Sequence, residues 1–223
     1  MRKVVLCIAA CFLPLSMVQA QITKEQKKER EELYKSSKVQ LNEKSTKAAR
    51  QEAKKYAKDG WQIVPGALPL EKQLDKSYLM QMEYDADMYP KYIMAEAMSI
   101  GESYDAAKMQ AQELAKQNLA GQIQTEVTAL VENSVANQQL SAEEAASVVQ
   151  SIIAGKSLIS QSIGRTIVVM ELYRTLKNKN KEVLVRIAYS GEMAKAAAKK
   201  AVREELEDKG EELQDKLDEL IGW

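Results

Sequence analysis

Between Tyr104 and Val135 apolar residues recur at spacings of three, four or five, and this stripe constrains the fold more than any other part of the chain. Ala107, Ala111, Leu114, Ala115, Leu119, Ile123, Val127, Leu130, Val131 and Val135 carry it, while Lys108, Gln112, Lys116 and Glu126 lie mostly off it. Such a period predicts one long amphipathic helix with a single face that must be covered. Small residues in its first half predict close approach to a sheet or another helix.

The covering layer is expected from strands on either side. Tyr78, Met80, Met82 and Tyr84 alternate with Gln81 and Glu83, which predicts an extended segment. Asp85 to Pro90 reads as a turn and Tyr92 to Ile100 as a second strand, giving a hairpin. Gly101 ends it, and Ser103 with Asp105 can cap the long helix. Beyond a polar break at Asn137-Gln138-Gln139, Ser141 and Glu144 form a capping box before a helix bearing Val148, Val149, Ile152 and Ile153. After Gly155 the period returns to two. Ile167 to Tyr173 reads as a strand buried on both faces for much of its length. Asn178-Lys179-Asn180 is a polar turn, and Val183, Val185, Ile187 and Tyr189 share one face of a return strand. The expected class is α+β: an antiparallel sheet of about four strands covered by the long helix, with helical N- and C-terminal arms.

Those arms are rich in Lys and Glu. Residues 21–60 form a charged helical arm, frayed at the start, docked towards its end and stopped by Asp59-Gly60. Residues 61–76 read as a connector, 77–192 as the α+β domain and 193–223 as a C-terminal helix. That last helix is broken at Gly210 and carries Leu206, Leu213, Leu217 and Leu220 at heptad-like intervals, fewer than argue a coiled coil.

The first twenty residues have the layout of a secretory signal peptide. Arg2 and Lys3 precede an apolar run from Val4 to Leu15, and Val18-Gln19-Ala20 supplies a cleavage site. A lipobox reading, Ile8-Ala9-Ala10-Cys11, competes for the same residues. The run before Cys11 is short and Phe12 to Leu15 stays apolar, which favours cleavage after Ala20 over a lipid on Cys11. Both cysteines, Cys7 and Cys11, fall inside this segment, and the chain has no histidine. A mature chain would therefore hold no disulfide, and its core alone must stabilise it. Without Arg2 and Lys3 the 32 basic side chains become 30, against 32 acidic ones, so no strong field draws nucleic acid or anionic lipid.

Chemistry-bearing patterns are few. No histidine is available for a triad or zinc site, and neither a Walker loop nor a G-x-G-x-x-G is present. Ser157 follows Lys156, but sequence neighbours do not face one another in a helix or strand. Glu83, Asp85 and Asp87 could offer oxygens to calcium, yet Met94 occupies the twelfth position of an EF-hand counted from Glu83. Aspartates also suit a solvated turn. No catalytic, cofactor or metal residue is assigned. Tyr84, Tyr89 and Tyr92, with Leu213, Leu217 and Leu220, are the candidate contact surface, because tyrosine and exposed leucine suit protein contacts.

Residues 90–190 also resemble the LPP20-type bacterial envelope domain, and are similar to the N-terminal domain of a flagellar-assembly protein. The resemblance lies in Pro90-Lys91-Tyr92-Ile93-Met94-Ala95-Glu96-Ala97, in Ala106 to Ala115 with Leu119-Ala120 and Ile123, and in the pair Ile167–Tyr173 and Val183–Ile187. It implies a compact α+β envelope domain without catalytic residues. The charged arm, the connector and the C-terminal leucines lie outside it. The expectation is an exported, non-catalytic interaction or assembly module, periplasmic or outer-envelope associated. Its partner would be an envelope protein or a second copy, with no transmembrane span in the mature chain. The alternative is a carrier of small apolar ligands using the Met/Tyr-lined sheet face.

Overall fold

In the computed structural model, residues 24–85, 88, 90–136 and 141–205 are described. The signal-like segment 1–20, Asp87, Tyr89, the break at Asn137-Gln138-Gln139, and Leu206, Leu213, Leu217 and Leu220 lie outside them. The chain divides into Met1–Lys44 and Ser45–Trp223. The first unit contributes α1 (Lys24–Asn42), whose Leu33, Tyr34, Val39 and Leu41 are all exposed. Lys28 and Glu32 pair one turn apart on its surface.

The second unit is built on a four-stranded antiparallel sheet in the order β1-β3-β4-β2, made of β1 (Gln62–Ile63), β2 (Tyr92–Gly101), β3 (Ile167–Thr175) and β4 (Lys181–Ser190). β2 and β3 run parallel to one another with β4 inserted between them as the central strand. One face is covered by α4 (Tyr104–Ala136), with α5 (Ala142–Ala154), α6 (Lys156–Ser162) and α7 (Gly191–Glu205) beyond it. The other face is covered by α2 (Lys47–Lys58) and α3 (Leu70–Gln81).

The long helix forms for the expected reason. Ala107, Ala111, Ala115, Leu119, Ile123, Val127 and Val131 are all buried against Ala95, Val183, Val185 and Ile187. Three alanines in succession let the helix lie close on the sheet. Leu114 departs from the expected stripe and is partly exposed. Ser103 caps the helix by accepting the Ala106 N–H at 3.2 Å. Gly101 is needed just before it, since a Cβ there would stand 2.7 Å from the Ala107 nitrogen. Ser141 and Glu144 form the expected reciprocal capping box on α5. α7 packs through Ala194, Ala198 and Ala201, again at helical spacing.

β4 is the strand buried on both faces, because both helical layers cover it: Val183, Val185, Ile187 and Tyr189 on the α4 side, Leu184 and Ala188 on the other. In β3 a bulge between Val168 and Met170 shifts the alternation. Lys179, rather than either flanking asparagine, takes the left-handed conformation in the hairpin turn, with φ 69.

Two expectations fail. Residues 78–84 do not form a strand: Tyr78 and Met80 belong to α3, and only an isolated bridge joins Tyr84 to Pro90. The helical spacing of Leu70, Leu74, Ser77 and Met80, all buried, outweighs the shorter alternation that follows it. The stretch read as a connector holds β1 and the start of α3, and the fourth strand of the sheet is β1, paired with Tyr173 and Leu172. The charged arm likewise divides in two. α2 is docked by Ala49, Ala53 and Tyr56, and Gly60, at φ 82, ends it. The Gly60 N–H reaches Ala57 O and the Trp61 N–H reaches Tyr56 O, a Schellman cap. Trp61 then lies beneath Arg174, whose guanidinium carbon is 4.6 Å from the ring centre and whose Nη1 donates to Asp59 O.

Candidate functional site

Of the tyrosines read as a contact surface, Tyr84 and Tyr92 can be placed. Tyr84 is 53% exposed, between Met82 and Met88, each 74% exposed, on the turn joining α3 to β2. Lys91 N–H donates to Glu83 O at 2.9 Å, Met88 N–H donates to Asp85 O, and Gly191 N–H donates to Lys91 O. Lys91 also pairs with Glu83 at 3.5 Å. Met82, Tyr84 and Met88 are thus exposed beside residues whose backbone groups are bonded. Tyr92 is half-buried, packed with Met94 against Met80, Val169 and Ala188. α3 therefore covers the Met/Tyr face that an apolar carrier would use.

Two polar clusters lie outside that turn. Beneath α3, Arg186 reaches Glu96 and Ser77, and the Tyr78 hydroxyl donates to Glu52. Burial, then the hydrogen bond to Glu52, pushes Tyr78 up to about 12. Burial, then the nearby Glu96 charge, raises Tyr56. On the α4 side Lys108 pairs with Glu171 at 2.9 Å, Tyr104 donates to the same carboxylate, and the Tyr104 and Tyr173 rings meet edge to face at 5.7 Å. Burial, then the bond to Glu171, raises Tyr104. For Lys108 burial acts downwards, but the hydrogen bond and charge of Glu171 outweigh it and the ammonium is held above its ordinary value. Both clusters keep their phenols and ammonium protonated, the reverse of what a nucleophile or general base requires.

An open groove of about 430 Å³ runs along α4 past Asn118, Gly121, Gln122, Thr125 and Glu126 to Lys156 at the start of α6. Burial raises the Glu126 carboxyl. A Cβ on Gly121 would stand 3.5 Å from the Lys156 Nζ, an ordinary contact. Among the described residues no group of three acidic, histidine or cysteine side chains could hold a metal ion. Among those residues, too, no helix is long and apolar enough to cross a membrane.

Sequence reasoning missed a second apolar surface, at Met98 and Ile100 on β2, 52% and 50% exposed. Both residues stand in a strand pattern that reads as core, and only the placement of α2 and α3 leaves this corner of the sheet uncovered. No family model matches the chain, and neither a curated protein nor a solved structure matches it.

Proposed function

We propose that this chain is an exported, non-catalytic interaction or assembly module of the bacterial cell envelope, resembling LPP20-type domains. The observation that supports the reading is the group Met82, Tyr84 and Met88 between α3 and β2, three large apolar side chains exposed to solvent beside the α+β core. Methionine adapts to varied partner surfaces, and tyrosine offers apolar area with a polar tip. The signal-like N-terminus, the lack of histidine and the restriction of cysteine to Cys7 and Cys11 support the same reading. The partner is an envelope protein or a second copy.

Crosslinked affinity recovery of the tagged protein from its native envelope, followed by mass spectrometry, tests the reading. The expected result is a reproducible envelope protein crosslinked near Tyr84, lost in a Met82→Ser/Tyr84→Ser/Met88→Ser variant that folds normally. Recovery of no envelope protein and no second copy would overturn it.

A further inference from the structure

β2 forms one edge of the sheet, and its outer side is open along one short window. Its register with β4 continues to Lys91 and Gly191, where the Gly191 N–H donates to Lys91 O at 2.9 Å. In an antiparallel ladder, residues that exchange bonds with the neighbour alternate with residues that turn both groups away. Odd-numbered residues of β2 therefore face β4. Tyr92, Met94, Glu96, Met98 and Ile100 direct N–H and C=O to the free edge. The Glu96 carbonyl is already occupied, since Asn118 Nδ2 donates to it at 2.9 Å. The strand ends at Gly101. Between the two limits Met98 and Ile100 remain, centred on Ser99.

Apolar side chains flank that window. Met98 and Ile100 are half exposed on the face that α2 and α3 leave open. On the other face α4 runs antiparallel to the strand, because Ser99 Oγ donates to Gln110 and Glu96 O accepts from Asn118. Leu114 precedes Asn118 by four residues, a rise of about 6 Å that matches two strand residues. It therefore stands level with Met98, and it is 37% exposed.

We infer that β2 is a self-association strand, through which two copies pair antiparallel about a two-fold axis at Ser99. The inference rests on the interaction-module reading and names its partner, a second copy of this chain. In this register Met98 exchanges both backbone bonds with Ile100 of the second copy, and Ile100 with its Met98, so the window maps onto itself. An axis at Met98 would instead require the Glu96 carbonyl that Asn118 holds. Residues 97–101 carry no charge, so like charges do not oppose one another within the paired window. A single foreign strand would gain the same few backbone bonds. The two-fold pairing also brings Met98, Ile100 and Leu114 of both copies together, which adds apolar burial from each side.

Sedimentation equilibrium of the purified full chain over a concentration series, with amide hydrogen exchange, tests this. The expected result is a monomer–dimer equilibrium in which the Met98 and Ile100 amides slow as concentration rises. Ile100→Pro removes an outward N–H and no bond to β4, and Met98→Lys sets a charge beside the axis. Each should weaken the dimer at least about tenfold without changing the circular dichroism. A chain that stays monomeric at every soluble concentration overturns the inference. So does a dimer that both variants leave intact while those amides exchange freely. A monomer that still recovers an envelope protein overturns this inference alone and leaves the interaction-module reading standing.

Discussion

Arg186 holds Glu96 across the β4–β2 pair through two nitrogens, Nε at 2.9 Å and Nη2 at 2.8 Å, while its Nη1 donates to Ser77 Oγ on α3. One guanidinium thus joins two strands to the helix above them. Its planar fork makes all three bonds at once, which a lysine could not do. The Arg186 side chain is 15% exposed and that of Glu96 36%. Arg186→Met should therefore cost about 1–3 kcal/mol, less than a fully buried pair, by leaving Glu96 and Ser77 short of donors. Urea unfolding monitored by circular dichroism measures it. An unchanged midpoint would mean that water replaces the guanidinium at no cost.

Close approach of α4 to the sheet makes a second prediction. Ala111 is fully buried beneath the helix, in a layer already filled by Val183, Val185 and Ile187. Ala111→Leu should destabilise by about 1–3 kcal/mol through overpacking. Leu119→Ala, one layer along, should cost about 2–5 kcal/mol through a cavity. Thermal unfolding of both variants checks the pair, and opposite signs would show a looser interface.

Much of this architecture is legible in the sequence because it rests on long, regular patterns. The helical stripe of α4, the alternation in β4, and the Ser141–Glu144 capping box are local signals that packing then reinforces. β1 is not legible in the same way, since two residues are too short to show a period and it exists only through pairing with Tyr173 and Leu172. α3 is obscured because Tyr78, Met80, Met82 and Tyr84 alternate by chance across the end of a helix. The exposure of Tyr84 follows from its place in a turn, whereas Met98 and Ile100 resemble core residues until the position of α2 and α3 is known. The Asn118–Glu96 bond joins residues 22 apart and has no pattern to announce it.

Alkaline pH should reveal the Tyr78–Glu52 bond. The folded-state value of Tyr78 lies at about 12, above the ordinary 10.0, so folding favours the protonated phenol. The stabilisation is complete below pH 10 and is lost as pH rises from there towards 12. Tyr56, Tyr104 and Lys108 are raised too and act in the same direction. Chemical unfolding at stepped alkaline pH should show falling stability, with a shallower fall in Tyr78→Phe. Phenolate absorbance should show that the same variant loses its latest-titrating tyrosine. A slope identical to that of the parent chain would place the effect elsewhere.

Asn118→Ala tests whether the side-chain cap limits the β2 edge. Asn118 is exposed and its bond to Glu96 O lies near the surface, so its loss should change stability by less than about 1 kcal/mol. What changes is the free edge. With the Glu96 carbonyl released, outward-facing residues run unbroken from Met94 through Ile100, and an antiparallel partner can shift into registers the cap excludes. Long, uncapped, weakly charged edges recruit further strands. The variant should therefore self-associate more strongly than the parent and scatter more light at equal concentration. Adding Met98→Lys to it should bring self-association below that of the parent, since a lysine on an edge strand opposes pairing in every register. Scattering equal to that of the parent chain would show that α4 itself, rather than the amide of Asn118, closes that part of the edge.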